Sequence, residues 1–146
     1  MNKSFKTKII YEVSQIDELI ESSNILIDLC KIKEPDFIEL SAVGSILHSF
    51  YNGIENIFIL IAKMLDFNFT QTPQWHRNLI DYMFNHDNFL SVDLRPLLTE
   101  YMGFRHFFRH TYSYSIKWEK CSYLFLGMPD FWKKNTSFNL ILLWRN

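Results

Sequence analysis

From Phe37 to Leu65 the chain repeats apolar residues at alternating intervals of about three and four, and this constrains the fold more than any other feature. The stripe is Phe37, Leu40, Val43, Ile46, Leu47, Phe50, Ile54, Ile57, Phe58, Ile61 and Leu65. That is the period of a helix, not of a strand. Around IFILIA, Ile57 to Ala62, the helix is apolar on nearly every side. Such a helix is buried on several sides, so it is expected at the centre of a bundle or at a dimer contact. Asp36 and Glu39 have the spacing of a capping box at its start, and it is expected to end near Asp66. Only four Gly and four Pro interrupt the 146 residues, which favours long helices over a many-turned sheet.

The other segments agree with an all-α chain. Ile9, Val13, Ile16, Ile20 and Ile27 mark a first helix near residues 4 to 31, ended by KIKEPD and Pro35. Thr72 and Pro73 read as N-cap and first position of a short third helix running to about Phe84. Asp93 is expected to cap a fourth helix over about 93–110. A fifth could start at Ser115, with Gly127 and Pro129 interrupting it. Residues 133–146 form an atypically apolar tail. No internal repeat or composition break divides the chain, so residues 1–146 are expected to form one up-and-down helical domain of about five helices.

A formal net charge of −1 argues against a non-specific nucleic-acid coat, so any nucleic-acid site must be local. Cys30 and Cys121 lack C-x-x-C spacing and read as buried thiols of a reducing, cytoplasmic setting rather than as a disulfide. No signal-like h-region follows MNKSFKTK, and no uncharged apolar run approaches the ~18 residues of a membrane span.

The densest chemistry lies in FRHFFRHTYSY, where two arginines, two histidines and two tyrosines fall between Arg105 and Tyr114. On a helical projection Leu94, Leu97, Leu98, Tyr101, Phe104 and Phe108 share the side that would face a core. Arg105, Arg109 and Tyr112, at i, i+4 and i+7, are expected on its flank, with Arg105 facing outward rather than into a buried salt bridge. His106 and His110 are expected nearly opposite the core. Guanidiniums present forked donors to phosphate oxygens, and imidazoles move protons near neutral pH. The set therefore suits gripping a phosphate and moving a proton. Its ordinary counter-reading is a helix C-terminus whose cations complement the macrodipole. Gly103, inside this helix, costs about 1 kcal/mol relative to alanine. It either frays the helix or lets another backbone come close.

The pattern Arg105-x4-His110-x-Tyr112 resembles the R-x4-H-x-Y signature of the HepT-like toxins within the HEPN superfamily. His106 matches the polar residue that often follows the arginine. Ile46 to Phe58 resembles the family's second helix, Pro73 to Asp81 its Trp-His segment, and Trp118 to Lys120 with Met128 to Trp132 its last helices. The resemblance spans roughly residues 5 to 135; the apolar tail departs from the family's charged final helix. It implies a dimeric HEPN-like bundle in which two motifs meet in one cleft. It also implies a metal-independent endoribonuclease toxin acting on transfer or messenger RNA, without a cofactor. Arg105 and His110 would be catalytic. The neutralising partner would be an MNT-type nucleotidyltransferase that transfers AMP to Tyr112.

Several readings stay open beside this one. His106 either hydrogen-bonds substrate or is merely solvated, and Arg109 suits phosphate binding more than catalysis. Tyr112 could be an interface aromatic, and Tyr114 a packing or turn residue. His76, beside Trp75, reads as structural, and His48 as a core or interface histidine. A non-catalytic HEPN-type module that binds RNA, a nucleotide or a protein would use the same Arg105 and His110. A metal held by His106 and His110 lacks further ligands nearby in sequence, so no metal site is expected.

Overall fold

The computed structural model describes residues 3–70, 72–85 and 90–134, and among them every regular element is helical. Helix α1, Lys3–Ile32, turns its buried stripe of Ile9, Ile16, Ile27 and Cys30 onto α2, Phe37–Met64. Asp36 caps α2 as the sequence predicts: its Oδ1 accepts from Glu39 N–H at 2.8 Å, and its own N–H donates to Glu39 Oε1 at 2.9 Å. The helix stops where Asp66 turns into the left-handed region at φ 57°. There Asp66 N–H donates to the Lys63 carbonyl and Phe67 N–H to that of Ala62, the paired bonds of a Schellman end.

Helix α2 is the axis of the fold. It packs against α1, against α3 (Trp75–Asn85), against α4 (Arg95–Arg109) and against α5 (Trp118–Leu126). A further helix, α6, occupies residues 128–134, so the described residues hold six helices where about five were expected. Gly127 makes the turn between α5 and α6, and Pro129 falls in the first turn of α6, where its missing N–H costs nothing.

Three helix starts lie later than the sequence suggests. Thr72 and Pro73 form a turn before α3, in which Trp75 N–H donates to the Thr72 carbonyl at 3.2 Å. Asp93 sits within a 3₁₀ turn, Val92–Leu94, and caps nothing. Another 3₁₀ turn, Ser113–Ser115, precedes α5.

Phe50 anchors an aromatic core with Tyr101, Phe131 and Trp132. Polar ties fix the outer helices on it. Tyr101 Oη donates to the Leu124 carbonyl at 2.7 Å, and Trp132 Nε1 to Asp17 Oδ1 at 2.7 Å. Arg95 pairs with Asp81 and lies over the Phe84 ring, joining the start of α4 to α3. Cys30 and Cys121 are free and buried, and burial pushes the Cys121 thiol up to about 11. Among the described residues no helix is long and apolar enough to cross a membrane. The tail expected to be atypical lies, beyond residue 134, outside the described residues.

Candidate functional site

The site is built where the C-terminal half of α4 crosses α2 and the start of α3. Gly44 makes room for this crossing: a Cβ there would meet Ile116 Cδ1 at 2.7 Å and Phe108 Cε2 at 2.9 Å. Below that contact α2 presents His48, Tyr51 and Glu55, spaced at i, i+3 and i+7.

Arg105 does not face outward. It is 6% exposed and donates through Nη1 to Glu55 Oε1 at 2.5 Å, with Glu55 3% exposed. This corrects the projection, and the reason is geometric. Leu98, Tyr101 and Arg105 stand at i, i+3 and i+7 and are the buried residues of α4. The arginine thus continues the core stripe instead of flanking it. Its guanidinium carbon lies 5.6 Å from the centre of the Tyr51 ring, a cation–π distance.

Glu55 serves a second partner. Its Oε2 lies 2.6 Å from His76 Nδ1 on α3. An ionised carboxylate only accepts, so His76 carries the hydrogen on Nδ1. The His76 ring stacks on Trp75. His76 thus ties α3 to α2, and it also lines the groove described next. Two α2 atoms close to this network, His48 Nδ1 and Tyr51 Oη, are buried without a hydrogen-bond partner among the described residues. His48 packs on Phe108 and is held below the ordinary imidazole value, by burial first and then by the charges of Arg105 and Arg109. Burial raises the Tyr51 phenol far above its ordinary range, with Glu55 adding to the effect.

Between α3 and α4 lies a groove of about 380 Å³, lined by Gln74, His76, Arg77, Met102, Gly103, Arg105, His106 and Arg109. Three arginines and two histidines share it, and among the described residues no acidic one lines it. Of the candidate residues, Arg105, His106 and Arg109 come together here; His110 and Tyr112 do not line it. His110 is the exposed C-cap of α4, with its ring 4.8 Å from that of His106 in an edge-on arrangement. Tyr112 follows the end of the helix, 73% exposed, and its ring stacks on the equally accessible Tyr114. Among the described residues no cluster of three or more His, Cys, Asp or Glu could hold a metal ion.

Sequence reasoning missed Glu55 and Arg77. Glu55 had a signal: a carboxylate inside the most apolar helix must find a partner. Arg77 had none, being one exposed cation on a short helix.

A family model for HepT-like proteins matches residues 42–137, which include Glu55, the His76 segment and the whole of Arg105 to Tyr112. Comparison with curated proteins and with solved structures gives no match. The match extends over well more than half of the chain and contains every element of the site, and so the protein belongs to the HepT-like family of the HEPN superfamily.

Proposed function

We propose that this chain is the toxin of a toxin–antitoxin pair, a metal-independent endoribonuclease that acts as a homodimer on transfer or messenger RNA. The observation that carries the reading is the division within its motif: Arg105 is clamped by Glu55 beside a groove that no acid among the described residues lines, and His110 stands exposed at the end of the same helix. A nucleic-acid phosphate suits that groove, because guanidiniums donate to non-bridging oxygens. In cleavage the 2′-oxygen attacks phosphorus and the bond to the 5′-oxygen breaks, giving a 2′,3′-cyclic phosphate and a 5′-hydroxyl. One imidazole accepts the 2′-hydroxyl proton and another supplies a proton to the leaving oxygen. One chain offers one His110, and it lies outside the groove's lining. A twofold axis would supply the second imidazole and bring both to one phosphate.

Tyr112 is the proposed acceptor of AMP from a partner nucleotidyltransferase. Exposure admits both Tyr112 and Tyr114, at 73% and 69%, and the motif position selects Tyr112. Its adduct would bring an anion of strong acceptor character beside Arg109 and compete with RNA.

The test is cleavage of RNA by purified protein beside His110→Ala, with circular dichroism to verify folding. Loss of a general acid–base group lowers the rate by about 10²- to 10⁴-fold. A folded His110→Ala protein that cuts at the wild-type rate would sink the proposal. A second reading, a non-catalytic binding module, is favoured by one observation: the Arg105–Glu55 pair also serves simple architecture. RNA bound tightly and never cut would establish it.

A further inference from the structure

Gly103 has no packing reason within the described chain. Gly44 and Gly53 each have one: a Cβ at Gly53 would meet Ile16 Cγ1 at 2.7 Å, where α1 crosses α2, much as Gly44 meets Ile116 and Phe108. A Cβ at Gly103 would meet nothing within 4 Å. Helix α4 nevertheless runs through this residue unbroken, at the expense of helix propensity. Gly103 also has a particular place. It is the residue shared by the motif groove and a second depression of about 620 Å³, and so stands between them on the helix.

The second depression has its own character. Lys117 and Lys120 line it, together with Phe107 and Tyr123, which are 44% and 50% exposed. The acid on its lining, Glu100, lies close enough to Tyr123 for its charge to raise the phenol above its ordinary value, after burial. Cations beside accessible aromatic rings are what an unpaired nucleic-acid strand requires: charge for its phosphates and flat faces for its bases. On the other side of Gly103, the groove holds Arg77 and Arg109. A chain of net charge −1 thus places cations on both sides of a helix that carries no side chain at Gly103.

We propose that a single RNA strand crosses α4 over Gly103, from the motif groove into a second subsite where Lys117 and Lys120 hold its backbone and Phe107 and Tyr123 meet its bases. This rests on the ribonuclease reading and extends it to how the substrate is held. A strand so placed passes beside His106, three residues after Gly103 and in the motif groove. It also explains the glycine, since a Cβ on the crest would lift the strand away from the helix.

The experiment measures binding of a fluorescent single-stranded RNA of about 12 nucleotides, a length typical of such sites, by anisotropy on the full chain carrying His110→Ala to prevent cleavage. Gly103→Leu fits the open space, so its melting temperature should equal or exceed that of its parent, while affinity falls at least about 10-fold as the crest is blocked. Lys117→Gln with Lys120→Gln should weaken binding and make the slope of log K against log salt shallower by about 1.4, the loss of two phosphate contacts on a single strand. Affinity unchanged in either variant overturns the subsite, as does failure of the parent to bind the strand. If Gly103→Leu halves the mass measured by light scattering, the crest is a contact between two copies and the proposal falls. Wild-type protein that binds through these residues but never cuts RNA defeats the ribonuclease reading while leaving the subsite standing. Wild-type protein that cuts, with both variants binding normally, does the reverse.

Discussion

Glu55→Gln is the most informative single change in this molecule. It replaces one carboxylate oxygen with an NH₂ group and removes one charge at a position 3% exposed. In the native protein Oε1 accepts from Arg105 and Oε2 from His76. The amide keeps one acceptor, so one of the two partners must face a donor. Breaking one side of a buried ion pair costs about 3–5 kcal/mol. The surviving acceptor can retain one hydrogen bond to a charged group, about 1.5–3 kcal/mol, so the net loss should be about 2 kcal/mol. For a chain of this size that lowers the melting temperature by roughly 4–8 °C. Thermal denaturation followed by circular dichroism measures it, and Arg105→Gln with the double variant completes a cycle whose coupling should be about 1–3 kcal/mol. A loss below about 0.5 kcal/mol with no coupling would refute the clamp. The same logic makes Arg105→Ala a poor test of catalysis. It leaves Glu55 buried with His76 alone, so any lost activity is mixed with lost stability.

Three further outcomes are expected. Cleavage should survive EDTA, because no ligand cluster forms around His106 and His110 among the described residues; activity lost to chelator and restored by a divalent ion would reject the metal-free mechanism. With its nucleotidyltransferase and ATP, the protein should gain the mass of AMP on the Tyr112 peptide and Tyr112→Phe should not; modification confined to Tyr114 would reject the assignment. His48, held below its ordinary value of 6.5, takes up its proton in the unfolded chain before the folded one, so stability should fall as pH drops through 6.5 toward the folded value. His48→Gln should flatten the melting-temperature curve between about pH 7.5 and 5, and an unaltered curve would point to another group.

The sequence exposed α2 because its signal is local. A strong apolar period, a capping box and a clear stop all lie within the helix itself, and each has its counterpart in the structure. Helix α4 misled for a reason equally physical. Counting only apolar residues draws the core stripe through Leu98 and Tyr101 and leaves Arg105 beside it. The partner that makes burial of Arg105 tolerable is Glu55, 50 residues away, and no local pattern links the two. A carboxylate between Ile54 and Ile57 was the available clue. Arg77 could not be singled out at all, because one surface cation acquires meaning only when packing sets α3 beside α4. The late starts of α3 and α4 have a common origin: turns before each helix engage backbone groups that the simplest capping rules assign to the helix itself.

The five-residue step from Arg105 to His110 carries a geometric consequence. At about 100° per residue it leaves the two side chains roughly 140° apart around the helix. An arginine and a histidine four residues apart would share a face, so they would be buried together or exposed together. The longer step lets α4 bury its arginine against Glu55 while its histidine ends in solvent at the C-cap. The two residues then suit different tasks. The clamped guanidinium has already lost its rotamer freedom, about 2 kcal/mol for an unrestrained arginine, so that loss is taken on folding instead of on substrate binding. Because the carboxylate also holds His76, the groove's geometry depends on α2, α3 and α4 together rather than on α4 alone. Among the described residues His110 has no such clamp at the helix end, and it can adjust to a strand or a second protomer. The same step turns the two away from each other within one chain. A reaction that needs both at one phosphate is therefore better served by Arg105 and His110 drawn from facing copies, which is the physical case for a dimer as the active form.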